Sequence, residues 1–100
     1  MNRTESYDQM VSRKLVKSRK FRQGFLLSFI EDHKMSGDNA LKETIRCMGL
    51  KEFSELAYLK IGHVGDFIKG RRKLKQETLN KYLKPFGLRV KVVFEKLYVA

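Results

Sequence analysis

Apolar positions recur at helical spacing over most of this chain. Tyr7, Met10, Val11 and Leu15 fall three, one and four residues apart, which predicts a helix with Arg13, Lys14 and Lys17 on its flank. Phe21, Phe25, Leu26, Phe29 and Ile30 form a second stripe, closed by Glu31-Asp32-His33 and followed by the break Ser36-Gly37-Asp38. Asp38 or Asn39 is expected to cap a third helix, with Ala40, Leu41, Ile45 and Met48 inward and Gly49 as its stop. Two short helices follow. One spans 51–58 with Phe53, Leu56 and Ala57 inward, and the other spans 62–69 with Val64, Phe67 and Ile68 inward. Leu59-Lys60-Ile61 is the tight connection between them. Gly70 ends the second, a basic loop runs from Arg71 to Lys75, and a last helix covers 76–85, carrying Leu79, Tyr82, Leu83 and, at its end, Phe86. Pro85 and Gly87 terminate it.

Beyond Gly87 the period changes to two. Leu88, Val90, Val92 and Phe94 alternate with Arg89, Lys91, Val93 and Glu95, which reads as a strand. A lone strand leaves a row of backbone groups without partners, and no second strand is evident in the chain. Residues 88–94 are therefore expected to pair with the same segment of a second subunit or with a partner's sheet edge, or else to lie extended over the core. The expected fold is mainly α: a helix-turn-helix bundle with a C-terminal strand, divided into a helical extension (1–37) and a helix-turn-helix domain (38–100).

Charge decides the class of partner. Twenty-two Lys and Arg stand against eleven Asp and Glu, a net charge of +11, and such a surface attracts polyanions. Cys47 is the single cysteine, so no internal disulfide forms, and its place on an apolar helix face suits a small hydrophobe. The first twenty residues hold no apolar run of the signal-peptide kind, and nothing approaches the roughly 20 apolar residues of a membrane span. A reducing cytoplasm is the expected location, with no membrane partner. Two histidines and one cysteine lack metal-ligand spacing, so neither metal nor cofactor is expected. No phosphate loop, serine elbow or paired carboxylates are present to suggest an enzyme.

The functional weight falls on residues 51–87. The first short helix braces the second, which buries one face and offers the other to a DNA groove. Lys60, His63, Asp66 and Lys69 are expected on the offered face, with Gly62 and Gly65 small enough to let the backbone approach. Arg71, Arg72, Lys73 and Lys75 are expected to grip phosphates, which holds register without reading sequence. Lys51 and Ser54 are candidates for phosphate contact on the bracing helix. His63 either bonds a base or phosphate or has no role. Asp66 is expected to pair within the protein, for example with Lys69, and Tyr58 to be core or to touch the DNA backbone. The basic helix bearing Arg13, Lys14, Lys17, Arg19 and Lys20 either extends the DNA footprint, docks an acidic partner or is merely solvated.

Residues 49–94 resemble the helix-turn-helix domains of the Xre/λ-repressor-like superfamily, through "VGDFIKGRRKLKQETLNKYL" and the closing "LKPFGL". Gly70 and Leu79 stand nine residues apart, as in that pattern. With Phe21 to His33 and Ala40 to Ala57 included, the chain is also similar to small antitoxin-like regulators of type II toxin–antitoxin modules. The resemblance implies a dimeric repressor of its own operon, a palindromic double-stranded operator, and a partner toxin that is a small ribonuclease. The chain departs from the family pattern at Tyr58 or Lys60, where a turn glycine is usual, and at Gly62-His63-Val64-Gly65, where Ser-Asn-Val-Ser is common. Three rival readings are a stand-alone repressor of phage or mobile-element type, an interaction subunit without DNA binding, and a general RNA- or DNA-binding module.

Overall fold

The computed structural model describes residues 5–92, 94, 96 and 97. Among these, six helices form: α1 (Tyr7–Lys17), α2 (Arg19–Glu31), α3 (Gly37–Met48), α4 (Leu50–Ala57), α5 (Ile61–Ile68) and α6 (Gln76–Leu83), with a 3-10 turn over Lys84–Phe86. The first three helices start in the same way. Ser6, Ser18 and Ser36 each accept a hydrogen bond from the backbone N–H three residues on, which satisfies one of the free donors at a helix start. Ser36 is the cap of α3 in place of the expected Asp38 or Asn39. The helix begins two residues earlier, and Asp38 becomes a first-turn acid near the positive helix end. Gly49, Gly70 and Gly87 all have positive φ at helix or turn ends, as their stop positions require.

One core holds the helices together. α1 and α2 pack on each other and on α3, and α4 joins α3 to α5. Leu15, Leu26, Leu41, Ile45, Met48, Phe53, Val64, Phe67, Tyr82 and Phe86 are all buried in one cluster. That cluster draws on residues from both sides of position 37. Each such side chain stabilises the fold by about 1.5–3 kcal/mol relative to exposure. The rings of Phe53 and Phe67 lie 5.8 and 5.3 Å from that of Tyr82, so α6 is tied to the helix-turn-helix through its one buried tyrosine. Phe21, Phe25 and Phe29 are half-buried at the core's edge, with successive ring centroids 5.9 and 5.2 Å apart.

Arg22 is the structural residue that periodicity does not reveal. It is 8% exposed, and its guanidinium donates to the carbonyls of Pro85 (2.6 Å), Leu15 (3.2 Å) and Val16 (3.3 Å). Two of those carbonyls belong to the last turn of α1, where the partial charge of the helix end is negative. Burial, and secondarily the nearby Arg19, lowers the Arg22 pKa. Gln23 donates to the Phe86 carbonyl at 2.9 Å, so α2 fastens both α1 and the turn that follows α6.

No strand forms among the described tail residues, contrary to expectation. Leu88 and Val90 instead lie half-buried along a groove between α2, α3 and α6, lined by Leu26, Ile30, Leu41 and Leu83. The Val90 N–H donates to Asn80 Oδ1 at 2.7 Å. A side-chain acceptor thus takes the donor a ladder would use. Val92 and Phe94 are exposed, Phe94 at 94%. Val93, within the expected strand, lies outside the described residues.

Candidate nucleic-acid interface

α4 and α5 are joined by a tight turn. Tyr58 sits in it with φ 57° and ψ 45°, the left-handed conformation that glycine adopts at no steric cost. Its side chain is 95% exposed, which corrects the expectation of a core tyrosine. Lys60 is the extended residue preceding α5, so it flanks the helix start and does not share the helix face. The two short helices span 50–57 and 61–68, each beginning one residue before the predicted start.

α5 buries Val64 and Phe67 and turns the arc containing Gly62, His63, Gly65, Asp66 and Lys69 outward. Gly62, His63 and Lys69 are exposed, whereas Gly65 and Asp66 are half-buried. Gly62 lies near the middle of this arc. A Cβ built there meets nothing within 4 Å, and one on Gly65 meets only a Leu50 methyl at 3.8 Å. Neither glycine is demanded by packing within the chain. Ile61, at the start of the helix, is 50% exposed. The Asp66 carboxylate enters no ion pair among the described residues, so the expected pairing with Lys69 is absent.

The end of α5 is built to reverse the chain. Gly70, with φ 79°, sends its N–H to the Phe67 carbonyl (3.1 Å), and Arg71 sends its own to Asp66 (2.8 Å). This is the paired arrangement of a left-handed helix stop. Arg46 of α3 donates to the Ile68 carbonyl at 3.3 Å and fixes that end to the scaffold. Arg71, Arg72, Lys73 and Lys75 then follow, all exposed.

Charge is concentrated on this half. Ten Lys and Arg against two acids fall between residues 60 and 92. Arg13–Glu5 and Arg46–Glu43 are the ion pairs among the described residues, so none of those ten cations is neutralised by a paired acid there. Arg13, on the basic N-terminal helix, is one of the paired cations, and Lys14 lies 5.8 Å from the Phe21 ring.

The three helices of this half also lack the serine caps of the scaffold. No side chain caps α4, α5 or α6, so neither Glu77 nor Thr78 closes the first turn of α6 with a side-chain cap. At α4 the neighbouring Glu52 carboxylate folds over Gly49, placing negative charge where a phosphate would approach. Lys51 is exposed beside it. Ser54 is buried and donates to the Leu50 carbonyl at 2.8 Å, so its hydroxyl is already used within the helix and is not offered to a phosphate.

A cleft of about 410 Å³ lies between the start of α5, the basic loop and α6. His63, Arg72, Lys73, Lys75 and Lys81 line it, with Tyr82. Among the described residues no acidic side chain borders it. Lys81 and Tyr82 are the members that a reading of the basic loop alone misses; they come into the site because the Tyr82 ring packs on Phe67 of α5. Elsewhere, burial, then the charges of Glu43 and Asp8, push the Cys47 thiol pKa up. No group of three or more metal-ligating side chains occurs among the described residues, and none of the described helices is long and apolar enough to cross a membrane. No protein-family model matches this sequence, and neither a curated protein nor a solved structure matches it.

Proposed function

We propose that this protein is a sequence-specific DNA-binding transcriptional repressor, with α5 entering a duplex groove and the loop after Gly70 gripping the backbone. The observation that carries the reading is the outward arc of α5, with Gly62 and His63 exposed, flanked by exposed Lys60 and Lys69 and continued by the cations from Arg71 to Lys75, which enter no ion pair among the described residues. The resemblance to Xre/λ-repressor-like domains supports the same use. A duplex selected from a random pool by the full chain, at near-physiological salt, tests it. Replacing Arg71, Arg72 and Lys73 by alanine weakens binding to all sequences alike. It also flattens the salt dependence by about 0.9 for each phosphate that is no longer neutralised. Unchanged affinity, or no selection of any sequence, contradicts the reading.

The repressor acts as a dimer through the tail. Val92 and Phe94 are apolar and exposed, on the far side of the point where Asn80 holds Val90. Pairing of this segment with a second copy supplies the ladder that a lone strand lacks and sets two α5 helices about 34 Å apart on a palindromic operator. A monomer at micromolar concentration by sedimentation, alone and on DNA, excludes the pairing. By resemblance, the chain is also an antitoxin whose exposed tail meets a small toxin. Co-purification of such a partner with the tagged full chain distinguishes this role from a stand-alone repressor.

A further inference from the structure

We infer that the cleft between α5 and α6 is a discrete phosphate-binding site, in which Arg72, Lys75 and Lys81 supply charge and the Tyr82 hydroxyl donates to a phosphate oxygen from the floor.

Two independent observations meet there. The first is electrostatic: three lysines or arginines of the loop, Lys81 and His63 border one concavity with no acid among the lining residues. Cations held together repel one another, and an anion with several acceptor oxygens relieves that repulsion. The second is Tyr82. Its side chain is 1% exposed, packed between Phe53 and Phe67, yet its hydroxyl has no hydrogen-bond partner among the described residues. Buried tyrosine hydroxyls usually find partners. No fully enclosed polar side-chain atom lacks one among the described residues, so this hydroxyl keeps a trace of exposure, and the cleft is a concavity that Tyr82 borders. Arg72 is close enough that its charge is felt at the phenol, opposing the upward push of burial on its pKa.

The start of α6 completes the site. Thr78 also borders the cleft, in the first turn of a helix that no side chain caps. Free N–H groups at such a start favour a bound anion. Glu77, in the same turn, is exposed and outside the cleft lining. The chemistry required is a phosphate with at least two free oxygens, from a DNA backbone or from a free phosphorylated molecule. The backbone source rests on the DNA-binding reading; the site itself does not.

The test is titration of the isotopically labelled full chain with inorganic phosphate, exchanged against chloride at constant ionic strength and followed by NMR. The expected result is saturable shifts confined to His63, residues 72–78, Lys81 and Tyr82. Tyr82→Phe keeps the ring in the core and weakens phosphate about tenfold, the loss expected for one hydrogen bond to a charged acceptor. Arg72→Gln, at an exposed position, weakens it at least as much without threatening the fold. Shifts that never saturate, that spread over the whole basic surface, or that both variants leave unchanged overturn the inference. A parallel anisotropy titration with labelled duplex separates the sources. Saturable phosphate with weaker duplex binding by Tyr82→Phe assigns the site to the DNA backbone. Saturable phosphate with duplex affinity unchanged assigns it to a free ligand. Saturable phosphate with no duplex binding upholds the cleft and sinks the DNA reading, whereas duplex binding without saturable phosphate does the reverse.

Discussion

Replacing Gly62 by alanine makes the protein more stable and a poorer DNA binder, and the two effects have separate causes. Gly62 lies within α5, is exposed, and has open space where a Cβ would go. Alanine there gains about 0.5–1 kcal/mol from helix propensity alone. For a domain of this size that raises Tm by roughly 2–8 °C. In the bound state the same methyl intrudes on the closest approach of helix to groove. An overpacked contact costs about 1–3 kcal/mol, so duplex affinity falls about fivefold or more. Gly24 provides the control. It lies exposed within α2, where a Cβ again meets nothing within 4 Å. Gly24→Ala stabilises to a similar extent and leaves DNA affinity alone. Thermal unfolding and fluorescence anisotropy on the three proteins read both quantities. Gly62→Ala with raised Tm and undiminished affinity refutes the close-approach argument. A lowered Tm refutes the open geometry around α5.

Three further outcomes follow from the scaffold. Arg22→Met strips the Leu15, Val16 and Pro85 carbonyls of their common donor and lowers stability by about 2–4 kcal/mol in urea unfolding; Arg22→Lys fails to restore it because one ammonium cannot span the fork of contacts. Tyr58→Gly relieves a left-handed residue whose exposed ring contributes little packing, and raises stability by about 1 kcal/mol, read as Tm. Cys47 alkylates more slowly than a free thiol at pH 8. Burial and the Glu43 and Asp8 charges hold its pKa up, so less thiolate is present, and Glu43→Gln speeds the reaction by removing one of those charges. Equal rates in the two proteins would mean that the Glu43 charge is not felt at the thiol.

Much of the helical architecture was legible because it is local. Phe21 to Ile30 and Ala40 to Met48 repeat at helical spacing, and Gly49, Gly70 and Gly87 mark the stops that their positive φ values explain. The outward arc of α5 was readable for the same reason, since Val64 and Phe67 fix which side faces in. What stayed hidden depends on distant partners. Arg22 looks like one more surface cation until Pro85, 63 residues away, supplies an acceptor. Lys81 and Tyr82 read as members of an ordinary amphipathic helix until the contact of Tyr82 with Phe67 brings them beside the basic loop. The tail alternates like a strand, yet strand formation needs a neighbour, and Asn80 takes the donor that Val90 offers. Tyr58 misled because aromatic residues are usually buried, while turn geometry here placed it in the left-handed region and in solvent.

The most direct test of the central claim is an amide chemical-shift map of the full chain on a duplex selected from a random pool, at near-physiological salt. The account predicts perturbations concentrated on residues 60–82, strongest around Gly62, His63 and the loop from Arg71 to Lys75. Perturbations confined to α1, α2 and α3, or none at saturating duplex, would contradict it.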